Sequence, residues 1–279
     1  MGLISNIKKE AQGNRTKIQS SEAAQLEKIL NATFYLEKDI EKETEFIHQV
    51  MTRGAETQER IGLHASALIV GEKDYCARQQ VLSLLYKQLQ GEQVNIDLKR
   101  IFEEGNAVHE KWQRLFIRAG YADPSGLDVT QYNAKYMVNY TPDIICTIPE
   151  FYDGPMIGEI KSVNHFQFQK MVRHPSAHKQ LQLYLLLTGI KKGFVLCDDK
   201  NTQEFKLEVY ELNPKASAPY MERLDEIRYY YKRAINEKKM IKRPDTATGP
   251  TCKRCSKCPM RDACYNIGMG RIRIGKENS

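Results

Sequence analysis

Pro142-Asp143-Ile144-Ile145-Cys146-Thr147-Ile148, a break at Pro149-Glu150-Phe151-Tyr152-Asp153-Gly154-Pro155, then Met156-Ile157-Gly158-Glu159-Ile160-Lys161-Ser162-Val163: this stretch decides the fold. Ile144 to Ile148 is rich in β-branched residues and reads as a strand. The break holds two prolines and Asp153-Gly154, a turn signal, and Met156 to Val163 reads as the partner strand of a hairpin. Alternate side chains of a strand share a face, so Glu159 and Lys161 point one way and Ile160 the other. Fifteen residues separate Asp143 from Glu159, and the hairpin places Asp143 on the neighbouring strand, where it can meet Glu159. Two carboxylates converging on one point are unfavourable unless a cation neutralises them. Oxygen ligands select hard divalent ions such as Mg²⁺ or Mn²⁺. An ion of that kind activates water and stabilises the charge that builds on phosphate during phosphodiester hydrolysis. A lysine beside it can orient the water or stabilise the same charge. The bare pattern is short, and two exposed strands with ordinary surface charges would also carry it.

Working outward, Leu98 to Arg118 reads as a helix that carries Gly105-Asn106-Ala107-Val108-His109. An imidazole there can add a nitrogen ligand to the same ion; the plainer alternative is a packing histidine. On the other side of the hairpin a helix is expected over Ala177 to Thr188, ending at Gly189. Gln180 and Tyr184 are four residues apart on it and share one face. Gly193 to Cys197 and Phe205 to Leu212 read as two more strands, followed by a long charged helix from Ala216 to Lys239 and a linker from Pro244 to Pro250. Upstream, Leu26, Ile29, Leu30, Phe34, Leu36, Ile40, Ile47 and Val50 recur at helical spacing between Ser21 and Met51, with Ser20 or Ser21 as a cap. Another helix is expected over Tyr75 to Gln90, and residues 1–20 read as a polar lead. The expected class is α/β (α+β).

At 279 residues, 41% hydrophobic and 28% charged, the chain can bury a core and is not of disordered composition. No apolar run reaches the roughly 18 residues of a membrane span, and Met1 to Glu10 carries no secretory core, so a cytoplasmic protein is expected. The net charge of +7 is uneven: residues 232–279 hold thirteen Lys/Arg and four Asp/Glu, a net of +9, which leaves −2 for the rest. A basic tail on a near-neutral body suggests a polyanion such as nucleic acid, with Lys242, Arg243, Lys253, Arg254 and Lys257 as phosphate contacts. Four of the seven cysteines fall in Cys252-Lys253-Arg254-Cys255-Ser256-Lys257-Cys258-Pro259-Met260-Arg261-Asp262-Ala263-Cys264, and a fifth lies in Asp74-Tyr75-Cys76-Ala77-Arg78. In a reducing compartment such clustering binds metal rather than forming disulfides, as Zn²⁺ or an iron–sulfur cluster. Cys146 and Cys197 sit in expected strands as buried apolar residues. No Gly-x-x-x-x-Gly-Lys-[Ser/Thr] loop is present, so no ATP motor of that kind is expected.

The order Gly-x-x-x-His, Pro-Asp, Glu-x-Lys, Gln-x-x-x-Tyr resembles the RecB-like nucleases of the PD-(D/E)xK superfamily. The resemblance spans about residues 63 to 265. It implies a restriction-endonuclease-like mixed sheet flanked by helices. It implies His109, Asp143 and Glu159 as ligands of Mg²⁺ or Mn²⁺, Lys161 as catalytic lysine, and Gln180 and Tyr184 as an accessory pair. The cysteines resemble the iron–sulfur subgroup of that family, which includes the AddB nuclease domain and the CRISPR-associated adaptation exonuclease. There one cysteine precedes the core and three follow as Cys-x-x-Cys-x₅-Cys, which fits Cys76 with Cys255, Cys258 and Cys264 around a 4Fe–4S cluster and leaves Cys252 surplus. A zinc site of Cys252, Cys255, Cys258 and Cys264 stays open. The expected organisation is a helical extension over residues 1–62, a nuclease core over 63–248 and a cysteine-rich basic segment over 249–279, joined to Cys76 through the cluster. The resemblance further implies exonuclease action on single-stranded DNA ends, with a separate helicase, recombinase or integrase as partner. The rival from another class is a non-catalytic nucleic-acid-binding protein with a structural zinc site.

Overall fold

The computed structural model describes residues 21–53, 63–86 and 96–265. The polar lead at residues 1–20, residues 87–90 and the basic residues after Tyr265 lie outside them; the helix expected over Tyr75 to Gln90 runs from Ala77 to Leu85, and Tyr86 leaves the helical conformation. The described elements run α1 (21–33), α2 (Ile40–Arg53), β1 (Leu63–His64), α3 (Ala77–Leu85), α4 (Ile96–Arg118), β2 (Gln131–Asn133), β3 (Val138–Tyr140), β4 (Ile144–Ile148), β5 (Tyr152–Val163), α5 (His165–Lys170), α6 (Pro175–Thr188), β6 (Lys192–Asp199), β7 (Phe205–Glu211), α7 (Pro214–Asn236) and α8 (Arg261–Tyr265). They form two compact units: α1, α2, α4 and the segment from Thr141 to Asn213 in one, and β1, α3, β2, β3 and the segment from Pro214 onward in the other.

The first unit is a four-stranded mixed sheet in the order β4-β5-β6-β7 with helices packed on it, the α/β arrangement expected from the hairpin. β4 and β5 are antiparallel, with Ile144 opposite Gly158 and a register shift between Cys146 and Ile148. β5 and β6 are parallel, with Glu159 beside Val195 and Lys161 beside Cys197; parallel neighbours need a crossover, and the segment with α5 and α6 supplies it. β6 and β7 are antiparallel.

Alternation gives the sheet two chemically distinct faces. Ile160, Phe194, Leu196, Leu207 and Val209 join Trp112, Phe116, Leu26, Leu30 and Phe46 in one core. Trp112 meets the Phe205 ring edge-on at 4.9 Å, and Phe116 stacks on Phe194 at 5.8 Å. Two glycines are required by close approach. A Cβ on Gly158 would lie 2.4 Å from Phe194 Cζ, and one on Gly193 would lie 2.6 Å from the Ile157 carbonyl and 2.8 Å from Leu181 Cδ1. Gly189, at φ 77°, ends α6 in the left-handed conformation that glycine adopts without strain.

The apolar stripe expected to form one N-terminal helix forms two. The chain turns after residue 33 because the backbone N–H groups of Lys38 and Asp39 are captured by the Arg118 carbonyl at the end of α4, at 2.8 and 3.2 Å. Local periodicity does not register a tertiary hydrogen bond of that kind.

The second unit holds a small sheet in the order β1-β3-β2, which the sequence did not suggest because its strands are two and three residues long. Arg223 of α7 ties it to the turn after β1, donating from one nitrogen to the carbonyls of Leu68 and Val70 at 2.5 and 2.7 Å.

Candidate functional site

Asp143 precedes β4 by one residue and stands opposite Glu159, one step along the β4–β5 register. Its carboxylate accepts the Ile160 backbone N–H at 2.7 Å, so β5 itself holds the side chain in place. Both acids are buried: Asp143 is 7% exposed and Glu159 is 0%. Lys161 pairs with one Glu159 oxygen. The other, Oε2, is buried with no hydrogen-bond partner among the described residues. A buried carboxylate oxygen left without a donor is rare in folded chains, and a cation would satisfy it.

Electrostatics point the same way. Burial, and then the negative charge of Asp143, push the Glu159 carboxyl up to about 8 despite the opposing pull of Lys161. Burial disfavours the Lys161 ammonium, but Glu159 and Asp143 outweigh it, and its proton is held more tightly than that of an ordinary lysine. Lys161 therefore stays charged, while the Glu159 carboxyl gives up its proton less readily than an ordinary one, and a further cation would ease that.

α4 brings His109 to the same place. Its Nδ1 lies 3.6 Å from Asp143 Oδ1. A third group, Asp128, completes a set of potential ligands: one atom each from His109, Asp128 and Asp143 lie within 4.8 Å of one another. Asp128 adopts φ 50°, a left-handed conformation that Asp tolerates better than most residues. It is anchored by Gln113, which is four residues beyond His109 on α4 and therefore on the same face. Gln113 Nε2 donates at 2.8 Å to both Asp128 Oδ2 and the Asp143 carbonyl. No sequence pattern marked Asp128 or Gln113. The available signal was the spacing of Gln113 to His109 on one helix.

On α6, Gln180 Nε2 donates to the Tyr184 hydroxyl at 2.9 Å. Burial and the negative charge of Glu159 raise the Tyr184 phenol far above its ordinary value, so it stays a neutral hydroxyl close to the acidic pair. His174 caps the same helix by accepting the Ala177 N–H at 3.2 Å. Burial and the nearby Lys161 charge lower its proton affinity, which leaves a neutral imidazole. All six residues picked from the sequence in this unit, His109, Asp143, Glu159, Lys161, Gln180 and Tyr184, belong to one neighbourhood, and His174, Asp128 and Gln113 extend it.

In the second unit Cys76, Cys255, Cys258 and Cys264 line one pocket with Arg78, Arg243, Arg254, Arg261 and Tyr265. Cys252 is not part of that lining. The backbone N–H of Cys255 brings the Cys252 thiol down to about 7. Burial raises the Cys258 thiol, and the sulfurs of Cys76, Cys255 and Cys264 add to the rise. Cys146 and Cys197 are buried in β4 and β6, and burial pushes both thiols up, that of Cys197 to about 12. Of the basic residues expected to contact phosphate, Arg254 donates to the Tyr75 carbonyl and to Thr246 Oγ1, and Arg243 lies 4.4 Å over the Tyr265 ring, so both are engaged by the fold. No helix among the described residues is long and apolar enough to cross a membrane.

No protein-family model matches the sequence, and no curated protein matches it either. Among solved structures the chain is similar to SSO0001, at 14% identity and TM-score 0.42 over 80% of this chain and 95% of that one. It is similar to LHK-Exo in complex with dAMP, at 16% identity and TM-score 0.47 over 63% and 90%. It is similar also to the alkaline exonuclease LHK-Exo from Laribacter hongkongensis, at 17% identity and TM-score 0.46 over 63% and 90%.

Proposed function

We propose that this chain is a divalent-metal-dependent deoxyribonuclease of the PD-(D/E)xK type, acting as an exonuclease on single-stranded DNA ends. One observation carries the proposal. Two buried carboxylates, Asp143 and Glu159, meet across a strand pair beside a histidine and a charged lysine, and Glu159 Oε2 has no hydrogen-bond partner among the described residues. The donor set fits a hard divalent ion: His109, Asp128 and Asp143 offer atoms within 4.8 Å of one another, and Glu159, which that set does not include, would complete the shell from the adjoining strand. Mg²⁺ or Mn²⁺ bound there supplies Lewis-acid polarisation of the scissile phosphate and an activated water. The chain's own residues do the rest. The Lys161 ammonium stabilises the extra negative charge on phosphate, and it stays protonated to do so because Glu159 and Asp143 hold its proton. Gln180 and the Tyr184 hydroxyl are neutral hydrogen-bonding groups that position Lys161 and a phosphate oxygen without adding charge. The Ile160 N–H fixes the Asp143 carboxylate, so ligand geometry does not depend on a loop.

The four pocket cysteines fit a 4Fe–4S cluster as a structural group. A zinc ion bound by cysteines stays the alternative. Thiolate ligation of such a cluster ties Cys76 to Cys255, Cys258 and Cys264, closing a loop of most of the chain and adding folding free energy. The partners that the family resemblance implies are single-stranded DNA and a separate helicase, recombinase or integrase that generates or uses the ends.

The test is degradation of end-labelled single-stranded DNA with Mn²⁺ or Mg²⁺, compared with Glu159→Ala and Lys161→Ala. Metal-dependent shortening in wild type that both variants lack supports the proposal. Intact DNA in wild type, with binding retained, makes the chain a non-catalytic nucleic-acid-binding protein. Broad absorbance near ~400 nm in the purified protein supports iron–sulfur ligation.

A further inference from the structure

We infer that Arg78 is the charge partner of the cysteine pocket: its guanidinium neutralises the thiolate set, slows loss of the bound metal and raises the reduction potential of a cluster held there. The inference rests on the proposed ligation by Cys76, Cys255, Cys258 and Cys264.

Arg78 is 4% exposed, although it stands only two residues after Cys76 at the start of α3. A guanidinium cannot be deprotonated in a protein, and burying it unpaired is strongly unfavourable. Its partners account for the burial. Nε donates to Cys264 Sγ at 3.1 Å. One terminal nitrogen donates to the Ile241 carbonyl at 2.5 Å and the other to the Cys264 carbonyl at 3.5 Å. Two carbonyls and one sulfur bring no full negative charge unless the sulfur is a thiolate, and metal ligation makes it one. Four thiolates in one pocket present the matching problem, a dense negative charge.

The rest of the lining leaves this task to Arg78. Four arginines and no acidic residue line the pocket. Arg254 is spent on Thr246 and the Tyr75 carbonyl, Arg243 on the Tyr265 ring, and Arg261 on the exposed Asp262 at 3.3 Å. None of those three makes a bond to sulfur. The Tyr265 hydroxyl reaches Cys255 Sγ at 3.5 Å, but it is neutral. Arg78 therefore supplies the one charged hydrogen bond to a pocket sulfur among the described residues. Donors to ligand sulfur and nearby positive charge favour the more reduced, more negative state of a cluster. Groups that orient and neutralise ligands typically change metal retention about 10–100-fold.

The experiment uses the full chain, purified without oxygen, as wild type, Arg78→Gln, Arg78→Lys and Tyr265→Phe, with folding checked by circular dichroism. Metal and sulfide content are measured first. Loss of metal to excess EDTA is then followed in time, and the midpoint potential is read by a dithionite titration of the visible spectrum. Arg78→Gln is expected to lose metal about 10–100-fold faster and to reduce at a more negative potential. Arg78→Lys, which keeps the charge but not the fork, should fall between it and wild type, and Tyr265→Phe, which removes a neutral donor to the Cys255 sulfur, should shift both in the same direction by less than Arg78→Gln. If Arg78→Gln matches wild type in both rate and potential, the inference is overturned. If Arg78→Gln is isolated without metal, Arg78→Lys decides: an intermediate rate supports the inference, and wild-type behaviour overturns it. Zinc without iron in wild type removes the cluster from the proposed function, and the EDTA rates alone then judge Arg78.

Discussion

Replacing Glu159 with Gln is expected to stabilise the metal-free protein at alkaline pH while abolishing nuclease activity. Glu159 is fully buried, and its carboxyl is raised from 4.5 to about 8 by burial and Asp143, net of the favourable pull of Lys161. At about 1.36 kcal/mol per pH unit, ionising it inside the fold costs on the order of 5 kcal/mol as an upper bound, less whatever the site relaxes. The sign follows from linkage. A group whose folded value is raised contributes its stability below pH 4.5, where both states are protonated. It loses that contribution as pH climbs through 8, because the unfolded chain ionises first. Gln keeps the shape and an oxygen for Lys161 but never ionises. The gap between Glu159→Gln and wild type should therefore be small near pH 5 and open toward pH 9. With 2–3 kcal/mol realised, it corresponds to roughly 4–10 °C in a chain of this size. Thermal melts with EDTA at pH 5, 7 and 9 measure it. Repeating them with Mn²⁺ should raise the wild-type midpoint, most at high pH, and leave the variant unmoved. Activity should fall by more than the about 10–100-fold seen for groups that only orient a ligand. A variant no more stable than wild type at pH 9, or a gap equal at pH 5 and pH 9, refutes the assignment of Glu159 as a buried carboxylate awaiting a cation.

Three further outcomes follow from the same geometry. Gln113→Ala releases both Asp128 and the Asp143 carbonyl, and Mn²⁺ affinity measured by calorimetry should weaken about 10–100-fold, with Asp128→Ala in the same direction. Trp112→Phe removes the indole donor at 2.7 Å from the buried Asp198 and should lower stability by about 1–3 kcal/mol in urea titrations. Gly193→Ala forces a methyl to within 2.6 Å of the Ile157 carbonyl, and the same titration should show a loss of about 1–3 kcal/mol.

What the sequence made legible is what local chemistry determines. The β4–β5 hairpin could be read because β-branched alternation and a Pro-flanked Asp-Gly turn are short-range signals, and β4 runs from Ile144 to Ile148 where alternation put it. β5 begins earlier than expected, at Tyr152, since antiparallel pairing to Ile148 carries the strand through the turn residues. His109, Gln180 and Tyr184 could be placed on helices because a 3.6-residue period is also local. The missed features are set by partners distant in sequence. The break between α1 and α2 depends on the Arg118 carbonyl, and the short β1–β3 pairing depends on a strand more than seventy residues away. Asp128 joins the site through a left-handed backbone and one Gln113 side chain, and none of these leaves a period or a motif.

The two candidate sites pose one electrostatic problem and meet it differently. Around Asp143 and Glu159 the internal cation is Lys161, a flexible ammonium bound to one carboxylate oxygen and leaving the other without a partner. That compensation is partial, and a partial one suits a site that must accept an exchangeable ion, since a fully neutralised pair would have no affinity left for it. Around the cysteines the internal cation is Arg78, buried and fixed by three bonds, one of them to sulfur. A rigid fork of donors holds its partners in one geometry, which suits a group that is retained rather than exchanged. Lysine in one place and arginine in the other is the pairing the two proposed roles require. Exchanging them should show it: Lys161→Arg ought to weaken Mn²⁺ binding by overfilling the carboxylate pair, and Arg78→Lys ought to loosen a metal that wild type keeps.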